Sequence, residues 1–201
     1  MTVGVWWVDA VPRVRCVDLM AWAHDVASER LAEALPRRWV HVQGVAERAT
    51  EVAKLFAEDA DLLVAAAVLH DVGYAPELAV TGFHPLDGAR FLRTTDAPAR
   101  LVNLVAHHSC AYREAELRGL SAELAEFTDE ETPLRDALWW ADMTTGPDGQ
   151  RLTVHERIAE IQSRYGPDDL VTWFIRQAKP ELVAAVERTE ARARAAGLVT
   201  T

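Results

Sequence analysis

The run Leu62-Leu63-Val64-Ala65-Ala66-Ala67-Val68-Leu69 leads straight into His70-Asp71-Val72-Gly73. As a helix this run has no polar face, so it belongs at the centre of a bundle with other helices wrapped around it. An ionisable pair at the end of a buried helix is costly unless something neutralises it. The segment therefore constrains architecture and chemistry together. Elsewhere apolar residues recur at helical spacing almost throughout, and no convincing period-2 strand occurs. The pattern predicts an all-α, single-domain helical bundle.

The spacing predicts a first helix over residues 17–34, closed by Leu35-Pro36. A second is expected over 38–58, with Val45, Ala49, Val52 and Phe56 on one face. Asp61 reads as the N-cap of the apolar third helix, which stops near Gly73. Further helices are expected over 85–93, 98–108, and through 114–127 with a break at Gly119. The acidic run Asp129-Glu130-Glu131 suits the start of the next helix, LRDALWWADM, through the helix dipole. TTGPDGQRL is a turn-rich loop, and three helices follow over 154–165, 168–178 and 180–196, the last stopped by Gly197. The expected layout is an N-terminal extension of unassigned role (1–16), a main helical domain (17–145) and a C-terminal helical extension packed on it (146–201).

Half of the 201 residues are apolar, enough for a substantial core. The formal net charge of −10 repels polyanions and argues against a nucleic-acid polymer as partner. Cys16 and Cys110 form no CxxC pair, so neither a disulfide framework nor a thiolate zinc site is expected. Asp9, Pro12, Arg13 and Arg15 interrupt the N-terminus too early for a signal peptide, and no apolar run approaches a membrane span. These features predict a cytoplasmic protein without a membrane partner. Tryptophan pairs, Trp6-Trp7 and Trp139-Trp140, read as core or interface anchors, and exposure of the first pair would favour a homodimer.

His41 shares the buried stripe of the second helix, at offsets 4, 8, 11 and 15 from Val45, Ala49, Val52 and Phe56. Asp142 follows Leu134, Leu138 and Ala141, so it also points inward. With His70 and Asp71 this makes two imidazoles and two carboxylates facing the interior, with no lysine close in sequence. Alone, each of these residues reads more simply as hydrogen-bonded packing; together they describe a cation site. The donor set suits a divalent transition ion, iron or manganese first, with zinc, cobalt or nickel as alternatives.

The pattern His41 … His70-Asp71 … Asp142, with LLVAAAVLHDVGY running into it, resembles the HD superfamily of metal-dependent phosphohydrolases between about Trp39 and Thr145. The resemblance implies an all-α fold, one metal held by those four residues, and hydrolysis of phosphate esters or anhydrides. His84, in TGFHPLDGARFL, and His107-His108, in LVNLVAHHSCAY, resemble the extra ligands of dinuclear members. Helical phase favours His108 over His107, because Leu101, Leu104 and Val105 precede it on one face. His107 is left to contact substrate or cap a helix. In a dinuclear centre Asp71 would bridge the two ions and serve the reaction directly.

The function expected is metal-dependent hydrolysis of a small phosphorylated metabolite, a nucleotide first, by metal-activated water. Arg37, Arg38, Arg113 and Arg151 are the nearest cations in sequence for its phosphate oxygens. Two other readings share the ligand set: a diiron oxygenase that consumes O₂, and a non-catalytic sensor of nucleotide or phosphate. His24 and His155 fall outside the pattern and read as surface or structural residues.

Overall fold

A computed structural model describes residues 19–198. The N-terminal extension with Trp6-Trp7, Cys16 and the expected helix start at Val17 lie outside the described residues. Ten α-helices follow in order: α1 (Leu19–Leu31), α2 (Pro36–Ala53), α3 (Ala60–Leu69), α4 (His84–Arg93), α5 (Ala99–Ala106), α6 (Ala111–Arg118), α7 (Ser121–Leu124), α8 (Pro133–Met143), α9 (Val154–Tyr165) and α10 (Leu170–Ala195). No strand forms among the described residues, and the fold is all-α. None of these helices is long and apolar enough to cross a membrane.

α3 occupies the centre. Leu63 through Leu69 are all buried, and α1, α2, α5 and α8 pack around them. Burying large aliphatic side chains at about 1.5–3 kcal/mol each fixes α3 there whatever its caps. Indeed its N-cap is Asp59, which makes no side-chain capping bond, and Asp61 lies inside the first turn. The second helix ends earlier than its spacing predicts, at Ala53. Residues Lys54–Asp59 wind more tightly as a 3-10 turn, and Ala57 sits at φ 44°. The left-handed residue turns the chain so that α3 can pack back on α2.

Helix α10 runs without a break through Pro180, where two helices are expected from the sequence. Proline removes one main-chain hydrogen bond, at a cost of about 3 kcal/mol or more. Phe174, Ile175, Ala178, Leu182, Ala185, Val186, Thr189 and Ala193 continue one buried face across it, and that burial outweighs the loss. Pro180 itself is exposed. α10 packs along α6, α8 and α9. On α8, Trp139 and Trp140 are buried in the core.

Candidate metal centre

Each of three histidines is fixed by its Nδ1. His41, on α2, donates from Nδ1 to the carbonyl of Gly146 (3.0 Å), in the loop after α8. His70, just past α3, donates to the Ala67 carbonyl (2.7 Å), and His108 donates to the Val105 carbonyl (2.7 Å). A carbonyl only accepts, so the Nδ1 atoms carry the protons and the Nε2 lone pairs are left bare. This is how metal-binding histidines are oriented by their surroundings.

Those Nε2 atoms converge on carboxylates. His41 Nε2 lies 3.3 Å from Asp142 Oδ1 and 3.7 Å from Asp71 Oδ2. His70 Nε2 lies 3.4 Å from Asp71 Oδ2 and 3.9 Å from Asp142 Oδ1. The other oxygen of Asp71, Oδ1, faces His84 Nε2 at 3.3 Å, and His84 Nε2 lies 3.0 Å from His108 Nε2. Two groups that could each hold a metal ion result, His41–His70–Asp71 and Asp71–His84–His108, with Asp71 common to both. The buried His70 Nε2 has no hydrogen-bond partner in the protein. A bare, buried acceptor beside two carboxylates fits a cation, and the imidazole–carboxylate set fits a divalent transition ion.

Local structure explains how the residues reach these places. His84 starts α4, with Pro85 in its first turn. Both oxygens of Asp87 accept from the main-chain N–H of Thr81, and one of them also from Gly82. The approach to His84 is thereby fixed. His108 opens a 3-10 turn in which Ser109 (φ 46°) and Cys110 (φ 60°) are both left-handed. Non-glycine residues in that region cost of order 1–3 kcal/mol each. The turn allows Ser109 Oγ to donate to Asp142 Oδ2 (2.5 Å), which leaves Asp142 Oδ1 for the histidines. Replacing Ser109 with glycine is therefore expected to weaken metal affinity by about 10–100-fold. Chelator competition beside calorimetry checks this, and unchanged affinity would show that the hydroxyl does not orient Asp142.

Charge in the centre is strongly shifted. Burial raises the Asp71 carboxyl, but Arg38, whose Nη1 lies 2.7 Å from Oδ2, and His70 outweigh it and hold it well below its ordinary value. Burial likewise opposes ionisation of Asp142, yet the neighbouring His41 and His70 and the Arg157 guanidinium keep it far below the carboxylate range. His41 is pushed down by burial. His70 is raised, the attraction of Asp71 and Asp142 exceeding the burial penalty. His108 is pushed down to about 3 by burial and by the neighbouring His84 and His70.

A pH dependence follows. His108 takes up a proton near pH 6.5 when unfolded but only near 3 when folded. Between those values the unfolded chain binds more protons, so stability present above pH 6.5 is lost as pH falls towards 3. His41 acts in the same direction and His70 opposes it. The metal-free protein is expected to melt at progressively lower temperature across that window. His108→Leu should flatten the profile, and an equally steep slope in that variant would assign the acid sensitivity elsewhere.

Beside the cluster lies a cavity of about 80 Å³. Arg38, Arg157 and Arg164 line it, with Ser109, Tyr74 and Tyr165. Arg38 stacks over Tyr74 (4.0 Å to the ring centroid), and Tyr74 stacks on His84 (3.9 Å between centroids). Arg157 is buried, 3.9 Å from Asp142 and 2.6 Å from Glu160. Arg157, Arg164, Ser109 and Asp87 are absent from the residues chosen on sequence. Arg157 had a legible signal: with Val154, Ile158 and Ile161 it recurs at three- and four-residue steps on the inner face of α9, whereas Arg164, further along the helix, is exposed.

The other residues chosen on sequence are placed elsewhere. Arg37 forms a two-bond ion pair with Asp148 (2.7 and 2.9 Å) at the surface. Arg113 pairs with Glu181 (3.1 Å), and Arg151 pairs with Glu51. His107 donates from Nε2 to the Phe127 carbonyl (2.9 Å), and its own carbonyl accepts from Trp139 Nε1 (2.9 Å). His107 thus ties the Phe127 segment to α8 and stands outside the ligand groups. Arg113, Arg151 and His107 do not line the cavity, because local carboxylates or a main-chain carbonyl hold them away from it.

The fold and site together are an all-α bundle with a buried His/Asp cluster that could hold a metal ion, beside a cavity lined by cations. The chain belongs to the HD-domain family, whose model matches residues 38–168, more than half of its length. The matched span holds all six residues of the cluster and extends through α9 with Arg157 and Arg164. HD domains typically bind divalent metal ions and are generally metal-dependent phosphohydrolases. No curated protein and no solved structure is found to match the chain.

Proposed function

We propose that the protein is a dinuclear phosphohydrolase that removes a phosphoryl group from a small phosphorylated metabolite, a nucleotide first among the candidates. One observation carries this reading. The two oxygens of Asp71 turn to two separate histidine groups at the edge of a cavity lined by three arginines. Divalent ions held there, iron or manganese by the donor set, would supply Lewis acidity and make water a nucleophile near neutral pH.

The protein's own groups account for the rest. Asp142, fixed by Ser109, and Asp71, fixed by Arg38, stay ionised and hold their orientation. Arg38, Arg157 and Arg164 provide the positive field for the phosphate oxygens; a guanidinium has five donors, so one ion pair does not exhaust it. The stacked Arg38–Tyr74–His84 column restrains the cation next to the ligands.

The test is turnover across a panel of phosphate esters by protein loaded with Mn²⁺ or Fe²⁺, with dissolved oxygen recorded in the same vessel. Release of inorganic phosphate without oxygen uptake supports hydrolysis. Substrate-dependent oxygen uptake would replace it with diiron oxygenation, and binding without turnover would leave a sensor.

A further inference from the structure

We infer that one face of α2 clamps the loop after α8, and that Gly44, at the closest contact, is a positioning residue for His41. Along α2, His41, Gly44 and Arg48 follow Arg37 at offsets of 4, 7 and 11, so the four share one face. Each of them meets the segment 144–149. Arg37 makes its two bonds to Asp148 (2.7 and 2.9 Å), and His41 donates to the Gly146 carbonyl (3.0 Å). Arg48 Nε donates to Thr144 Oγ1 (3.2 Å). Between these contacts, a Cβ on Gly44 would stand 2.8 Å from Gly149 Cα, 2.9 Å from the Gly149 carbonyl oxygen and 2.9 Å from Thr145 Cγ2.

Glycine in mid-helix is unfavourable beside alanine, and Gly44 has no positive φ that would call for it. The approach of the loop is what requires it. That loop is braced from within: the Gly146 N–H donates to Gln150 (2.7 Å), Gly149 to Gly146 (3.0 Å) and Leu152 to Thr144 (3.0 Å). Gly149, at φ 74°, faces back onto α2, where a Cβ would stand 3.1 Å from the Val40 carbonyl oxygen. A braced loop moves as a unit, so a side chain at Gly44 carries the Gly146 carbonyl away from His41 Nδ1. That carbonyl keeps the proton on Nδ1 and the Nε2 lone pair free for an ion. Arg37, a phosphate candidate on sequence, belongs to the outer end of the same clamp.

The inference rests on the metal reading of the cluster, but its first test needs no ion. With histidine ring nitrogens labelled, NMR of the metal-free full chain reads the His41 tautomer, its signals assigned by their loss in His41→Gln. The parent should carry the proton on Nδ1 alone, and Gly44→Ala should mix the two tautomers. Mn²⁺ titration by calorimetry follows in a His84→Ala background, which leaves the His41 side to bind. There Gly44→Ala should weaken affinity about 10–100-fold. The better helix propensity of alanine offsets part of the overpacking, and thermal melting checks that the variant folds. Arg37→Gln, at an exposed position, does not reach the core and should weaken the same ion about two- to fivefold, the range of a surface ion pair. Removing a positive charge would by itself tighten a cation, so weakening identifies the clamp. A His41 tautomer unchanged in Gly44→Ala, or Mn²⁺ affinity unchanged or tighter in either variant, would overturn the inference. Absence of Mn²⁺ binding in the parent would instead sink the metal reading, and the tautomer would still decide for or against the clamp.

Discussion

Asp71→Ala is expected to strip the protein of both ions and reduce turnover to that of the metal-free protein. Asp71 is the residue shared by the two ligand groups, Oδ2 facing His41 and His70 and Oδ1 facing His84. Loss of His84 alone should remove one ion, because His41, His70, Asp71 and Asp142 remain. Asp71→Ala has a second effect: it leaves the Arg38 guanidinium, only 19 % exposed, without its partner. Breaking a buried pair from one side costs about 3–5 kcal/mol. The double variant Arg38→Met/Asp71→Ala separates the two effects, since it should recover stability without recovering metal. Elemental analysis beside thermal melting reads both, and two ions per chain in Asp71→Ala would end the bridging assignment.

Gly73→Ala should be nearly as damaging, though Gly73 holds no ion. A Cβ at Gly73 would sit 2.1 Å from the His84 carbonyl oxygen and 2.5 Å from the Gly88 main-chain nitrogen. Both are backbone atoms, so α4 as a whole must move away. Overpacking of this kind costs about 3 kcal/mol at its upper end, which in a chain of this size lowers the melting temperature by roughly 6–12 °C. Because α4 begins at His84, the displacement falls on a residue of the second ligand group. The expected result is lower thermal stability together with selective loss of one ion. A variant that melts like the parent and keeps two ions would show that α4 tolerates the shift.

These effects explain what the sequence discloses and what it conceals. The ligand residues are legible because each sits in a strongly patterned segment: His41 on the buried stripe of α2, His70-Asp71 after an apolar helix, Asp142 after Leu138 and Ala141. The arginines are not legible by nearness in sequence. Arg38 alone of the four chosen lines the inner cavity, and Arg157 and Arg164 reach it only because α9 and α10 fold back over the cluster. Helical phase separates His108 from His107 although the helix stops at Ala106, because the 3-10 turn that follows preserves the inward direction. Pro180 misleads for the opposite reason: a local breaker is overridden by a buried face on either side of it.

The hydrogen bond from His41 to Gly146 joins residues 105 apart in the chain. Contacts of such long span form late, since loop-closure entropy must be overcome before they contribute. During synthesis, His70, Asp71, His84 and His108 all emerge before Asp142 and the Gly146 loop exist to complete the site. Tight metal uptake would then report that the chain has been made through the Gly146 loop. An ion that engages only the completed arrangement holds back unfolding far more than it hastens folding, so its contribution is to the lifetime of the native protein.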